Sequence, residues 1–224
     1  MIERHIEVRR TARYYELEPE SEADQVWVAC HGYRQRGDRF APRLEPLRAA
    51  GRWVVVPEAL NRFYLDEEAG RHGPESRVGA TWMTRDDRLT DIADYVFYLD
   101  RLLERVTEQH GRPASVVALG FSQGAATVAR WAVQGSQRVD ALVAWGSPLP
   151  PDLDLPAAAG RLAGRPVLLV TGARDAAFPP GAAHAERERL VGAGLDARVL
   201  EYAGGHRVEA DALRRVDAEL ASTR

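Results

Sequence analysis

The sequence predicts a three-layer α/β fold: a mostly parallel central sheet with helices on both faces and no large cap domain. Two observations lead there. Short runs of consecutive apolar residues, each closed by Gly, Pro, Ser, Asp or His, recur as "VWVACHG", "RWVVVPEA", "SVVALGFS", "ALVAWGSP", "PVLLVTGARD" and "ARVLEYAGGH". Runs that are apolar throughout, rather than at every second position, belong to strands buried on both faces. Between several of them the apolar residues fall at helical spacing, and strands alternating with helices close through right-handed crossovers. At 224 residues the chain suits one domain, 1–224, long enough to bury a full sheet between helix layers.

Taken in order, residues 6–9 and 13–17 are rich in β-branched and aromatic side chains and predict two early strands at a sheet edge. The polar stretch "EPESEADQ" then leads into the first continuous strand at 26–32. Residues 86–110 place Leu89, Ile92, Ala93, Val96, Leu99, Leu102, Leu103 and Val106 at helical spacing. Thr84 is the expected N-cap there, with Asp86 and Asp87 in the first turn, where carboxylates meet the positive end of the helix. Further helices are expected over 123–133, 181–191 and 211–221. Two long connections remain, 58–85 and the Pro- and Ala-rich 146–165, and loops at the carboxyl ends of parallel strands line ligand crevices.

Composition narrows the chemistry. Apolar residues make up 45% and charged residues 28%, an ordinary globular balance, and a formal charge of −3 gives no electrostatic reason to expect nucleic acid or an anionic membrane as partner. All 30 cationic side chains are arginine, so there is no Schiff-base lysine, pyridoxal-phosphate anchor or P-loop lysine. A lone cysteine, Cys30, excludes an intramolecular disulfide framework and a multi-thiolate zinc site. The N-terminal stretch "MIERHIEVRRTARYYELEPE" carries charge throughout and does not read as a secretory signal, and no apolar run reaches bilayer length. A cytoplasmic protein is expected.

The stretch "GFSQG" carries the chemistry. A serine hydroxyl is a poor nucleophile unless a base removes its proton as it attacks. Ser122 stands between an apolar run and a helical pattern, with Gly120 and Gly124 two residues to either side, the arrangement that a tight strand-to-helix turn requires. The base belongs on a late loop: His206, after the last strand in "YAGGH", is preferred over His184, which falls within a helical pattern. The acid belongs between them in the chain. Asp175, at the end of "PVLLVTGARD", is preferred over Asp152 and Asp154, which read as turn residues. Two backbone N–H groups are needed for a tetrahedral oxyanion, and those of Gln123 and Tyr33 are the candidates. His31 and Cys30 read as structural residues, and Phe63, Tyr64, Trp82, Met83 and Phe178 are candidates for an apolar acyl pocket.

With these residues assembled, the chain resembles the α/β-hydrolase superfamily over nearly its whole length. Within it, the chain is similar to the small, cap-free serine esterases of the phospholipase/carboxylesterase (acyl-protein thioesterase-like) group. The resemblance rests on "CHGY", "GFSQGAA", "GARDAAFP" and "GGH", with weaker likeness to a bacterial esterase subgroup in "PEALNRFY" and "GATWMTRDDR". It implies hydrolysis of a small-molecule ester or thioester through an acyl-enzyme, with no metal and no organic cofactor. The alternatives are an amidase or peptidase with the same triad, or a non-catalytic binding protein of the same fold. One departure stands out: where the group commonly has H-G-x-G, this chain has Arg34 in place of the second glycine. Arg34 and Arg36 are therefore candidates to face the pocket, although solvated surface arginine is the simpler role.

Overall fold

The computed structural model describes residues 1–19, 23–65 and 72–222. The chain enters through β1 (Tyr14–Leu17) and β2 (Gln25–Cys30), then turns through α1 (Gly37–Phe40), a 3₁₀ turn (Ala41–Leu44) and α2 (Glu45–Ala49) into β3 (Trp53–Pro57). A two-stranded antiparallel ribbon, β4 (Asn61–Tyr64) and β5 (Val78–Thr81), precedes the long helix α3 (Arg88–His110). Strands and helices then alternate: β6 (Ser115–Phe121), α4 (Gln123–Gln134), β7 (Ala141–Trp145), α5 (Leu155–Arg161), β8 (Pro166–Gly172), α6 (Pro180–Gly192), β9 (Asp196–Tyr202) and α7 (Ala210–Ala221).

Seven strands form one sheet in the order β1-β3-β2-β6-β7-β8-β9, parallel except for β1. The continuous apolar runs follow from its two covered faces. Successive residues of a strand point to opposite sides, and both sides are dry. Val26, Val28, Val55, Val116, Ala118, Leu142 and Leu169 pack with Leu99, Val128, Trp131 and Leu190 of α3, α4 and α6. Their neighbours Trp27, Ala29, Val54, Val117, Leu119, Val143 and Val170 pack on the other face with Phe40, Leu47, Leu213 and Val216. Among the described residues, no helix is long and apolar enough to cross a membrane.

The connections explain where a crevice opens. The segment after β2 departs to the face of α1 and α2, whereas the segment after β6 departs to the face of α4. These strands are neighbours, with Cys30 opposite Gly120 in register. Adjacent parallel strands whose following segments leave in opposite directions part at their carboxyl ends, and ligands bind at such switch points.

Several expectations need correction. Residues 6–9 form no strand: Ile6 and Val8 are 86% and 76% exposed, and the alternation of apolar with charged side chains there meets no apolar surface. The edge position belongs to β1 alone. Thr84 does not cap α3, which starts at Arg88 behind a left-handed Asp87; the Thr84 hydroxyl instead donates to Asp86 O at 3.0 Å. Leu89 and Ala93 lie exposed on α3, and Tyr95 joins the buried stripe in their place. The connection 58–85 is not simply a loop, since it contains β4 and β5, and α5 lies within 146–165.

The stripe on α3 sets a direct expectation. Leu99 is fully buried whereas Phe97 is 68% exposed on the same helix. Leu99→Ala should lower unfolding free energy by about 2–5 kcal/mol, and Phe97→Ala by less than about 0.5 kcal/mol. Urea denaturation of both variants checks this; equal losses would contradict the assigned helix face.

Candidate active site

At the end of β6 the backbone makes a strained turn. Ser122 has φ 54° and ψ −118°, a left-handed conformation that a non-glycine residue holds only when its surroundings impose it. Here they do. Ser122 N–H donates to Trp145 O at 2.8 Å and Ser122 O accepts from Ala125 N at 2.9 Å. A Cβ on Gly120 would lie 2.1 Å from Gly124 O, and one on Gly124 would lie 2.2 Å from Cys30 O. Helix α4 therefore leaves the strand with backbone touching backbone, which only glycine at both positions permits. The half-buried Ser122 hydroxyl makes no hydrogen bond among the described residues.

The loops after β8 and β9 bring a carboxylate to an imidazole. His206 Nδ1 lies 2.8 Å from Asp175 Oδ2, and the Asp175 side chain has no solvent exposure. The other carboxylate oxygen accepts from Ala177 N (2.9 Å) and Phe178 N (3.1 Å). A carboxylate so held accepts hydrogen bonds, which places the imidazole proton on Nδ1 and leaves the Nε2 lone pair free. Trp145 leads directly into Gly146 (φ 68°), whose added Cβ would stand 3.0 Å from His206 Cε1. The Phe121 ring lies 4.8 Å from the imidazole, centroid to centroid. Phe121, just before Ser122, and Gly146, just after its backbone partner Trp145, thus bracket the imidazole.

A residue that sequence reasoning missed pins this loop. The Tyr202 hydroxyl accepts from Trp145 Nε1 (3.2 Å) and lies 2.6 Å from both Gly205 O and Arg207 O, on either side of His206. Thr171, buried at the end of β8, donates likewise to Phe178 O and holds the loop that carries Asp175.

Beside Ser122 runs the turn 32–35, closed by Gln35 N donating to Gly32 O at 3.2 Å. Arg34, which stands where the H-G-x-G pattern has its second glycine, has φ 67° there, a left-handed backbone that costs a non-glycine residue about 1–2 kcal/mol. A Cβ on Gly32 would be 3.2 Å from Ser122 Cβ, so the turn abuts the serine. Gly32 N–H is taken by Gln35 Oε1 at 2.9 Å, whereas Tyr33 N–H has no partner among the described residues. Gln123 N–H is the first of α4, and the first amides of a helix have no partner within it. Beneath the turn, His31 is fully buried: its Nδ1–H donates to Gly32 O (2.8 Å) and its Nε2 accepts from Ala59 N (3.1 Å). Burial pushes the imidazole pKa down.

The candidate pocket residues divide. Phe63 is half-buried and stacks on the exposed Tyr33 with centroids 5.6 Å apart, and Tyr64 stacks on His72 at 3.7 Å. Met83 is half-buried. Trp82 and Phe178 are each only 1% exposed, so they offer no surface to a substrate; Trp82 packs against His31 and Tyr95 and donates its indole N–H to His31 O. Arg36 is engaged with Asp38 at 2.9 Å, whereas Arg34 is exposed. His184 is an exposed residue of α6 bonded to Glu201. Asp152 bridges Arg88 and Arg130, which hold its carboxyl at about 2, and Asp154 caps α5 by accepting from Ala157 N. Burial pushes the Cys30 thiol up, away from thiolate chemistry.

Glu16, Glu18 and His110 have ligand atoms within 4.8 Å of one another. They sit where β1 and α3 end, at the amino-terminal edge of the parallel strands and away from Ser122, so they have no part in this constellation.

Sheet order, covering helices and a left-handed serine between strand and helix define an α/β-hydrolase framework. The family model described as alpha/beta hydrolase fold matches residues 75–195, more than half of the chain, and the chain belongs to that family. Among solved structures it is similar to the esterase PE8, with 23% identity, a TM-score of 0.71 and coverage of 96% of this chain and 100% of that one. A carboxylesterase from Mesorhizobium loti is 18% identical, with a TM-score of 0.72 and 94% of each chain covered. Acyl-protein thioesterase 2 from Zea mays is 18% identical, with a TM-score of 0.69, covering 95% of this chain and 99% of that one. A search of curated proteins returns no match.

The buried His31 makes a pH signature. Its native pKa lies below the unfolded value of 6.5, so the unfolded chain binds the extra proton first. This contribution to stability is complete above about pH 6.5 and is lost as pH falls through that value toward the native one. His31→Gln should therefore flatten the decline in unfolding free energy between about pH 7 and 5. Urea titrations at several pH values measure the slope, and an unchanged slope would count against a neutral, buried His31.

Proposed function

We propose that the chain, as a single domain spanning 1–224, is a serine hydrolase of small-molecule carboxylic esters or thioesters. The observation that carries this reading is the fully buried Asp175 carboxylate 2.8 Å from His206 Nδ1, at the mouth of the turn that strains Ser122. Similarity in fold to an esterase, a carboxylesterase and an acyl-protein thioesterase supports it.

Ser122 Oγ attacks the acyl carbonyl while His206 Nε2 takes its proton. Asp175 keeps the imidazole in the required tautomer and stabilises the imidazolium that forms. The negative charge that develops on the carbonyl oxygen falls to the N–H groups of Tyr33 and Gln123, the latter aided by the helix dipole of α4. The imidazolium then protonates the departing alcohol or thiol, leaving an ester on Ser122. A water, deprotonated by His206, attacks that ester and returns the serine. Every proton in this cycle is moved by the chain or by water.

The exposed Tyr33, stacked on the half-buried Phe63 and next to the Gly32 that abuts Ser122, suits a small to medium acyl or aryl group. The test is a p-nitrophenyl ester series of increasing acyl length, run beside a thioester, a lysophospholipid and an anilide. Short to medium esters should be cleaved fastest. Ser122→Ala should lower turnover about 10⁴-fold or more, and Asp175→Asn about 10⁴-fold, with folding intact. Substantial hydrolysis by folded Ser122→Ala would overturn the assignment.

A further inference from the structure

We propose that the side chain of Gln123 is a positioning residue that clamps α4 to β5 and thereby sets the distance between the two oxyanion amides. This deepens the reading above and rests on it. The two proposed donors come from separate segments, Tyr33 from the turn after β2 and Gln123 from the start of α4, and the reaction gains only if both reach one oxygen.

One strand touches both segments. Ala80 of β5 donates to Gln35 O at 3.1 Å and accepts from Arg34 N at 3.0 Å, which sews the turn containing Tyr33 to β5. The residues that follow receive the Gln123 side chain. Its Nε2 donates to Met83 O at 2.9 Å and lies 2.9 Å from Thr81 Oγ1, while its Oε1 accepts from Trp82 N at 3.1 Å. The Trp82 indole closes the circuit by donating to His31 O at 2.8 Å, immediately before the turn.

The residue type follows from the geometry. A planar amide holds a donor NH₂ and an acceptor oxygen side by side, which fits the neighbouring N–H of Trp82 and C=O of Met83. Glutamate would present no donor to Met83 O, methionine neither group, and asparagine is shorter by a methylene. The side chain is consumed by the clamp, so Gln123 serves the oxyanion through its backbone alone. Loss of the clamp lets two segments drift relative to each other, and misplacement by about 1 Å costs on the order of 10²-fold.

The experiment uses the full chain with p-nitrophenyl butyrate and an aryl trifluoromethyl ketone, whose adduct with Ser122 carries the oxyanion. Gln123→Met, which fills the space without the hydrogen bonds, should lower kcat by about 10- to 100-fold. KM should stay within about twofold, and ketone affinity should fall in step with kcat/KM. A loss confined to KM, or a kcat loss with unchanged ketone affinity, overturns the clamp. So does a kcat within about twofold of the parent. Thr81→Val, which removes the hydroxyl from the same clamp, carries the same readouts if Gln123→Met does not fold. An active parent enzyme that depends on Ser122 but not on Gln123 defeats the clamp alone. A parent that cleaves no ester defeats the proposed reaction, and the clamp with it.

Discussion

The close approach of two backbones at the end of β6 is the constraint from which the rest of the site follows. With Gly120 against Gly124 and Gly124 against Cys30, α4 starts in contact with the strands it leaves. The chain then has no room for an ordinary turn, and Ser122 is driven into the left-handed region. Such a residue costs about 1–3 kcal/mol. The cost is borne by a sheet whose strands are dry on both faces. The product is a half-buried serine held at the end of the strand, with the first amide of a helix directly behind it.

The other parts of the site are arranged by strand order. Parallel strands deliver their carboxyl ends to one side of the sheet, so segments after β2, β6, β7, β8 and β9 meet there although they are far apart in the chain. Three of them are tied by side-chain hydrogen bonds: Tyr202 flanks His206 after β9, Thr171 holds the segment after Asp175, and His31 holds the turn that contains Tyr33. The ribbon β4–β5 adds a brace from outside the main sheet. Precise geometry thus comes from anchored loop ends.

The main strands were legible because burial on both faces writes a continuous apolar run that few other environments tolerate. Asp175 and His206, singled out because each follows such a run, do meet, and Ser122 does stand on a strained turn between strand and helix. The ribbon β4–β5 was not legible: its strands are short, β4 alternates half-buried with exposed residues, and 65–77 intervene without a tight-turn signal. Trp82 and Phe178 show a different limit, since an aromatic residue near a strand end reads the same whether it faces a crevice or the core. The side-chain roles of Gln123 and Tyr202 escaped because they depend on what another segment brings to them. Arg34 shows that a glycine-like conformation survives without the glycine when both flanks are tied down.

The central claim is that Ser122 is an activated nucleophile served by His206. Its most direct measurement is mass spectrometry of peptides from the full chain after treatment with a fluorophosphonate. The account predicts one phosphonylated residue, Ser122, with labelling strongly slowed in His206→Ala. An unlabelled chain, an adduct on another residue such as Ser147, or labelling of Ser122 at an undiminished rate in His206→Ala would contradict it.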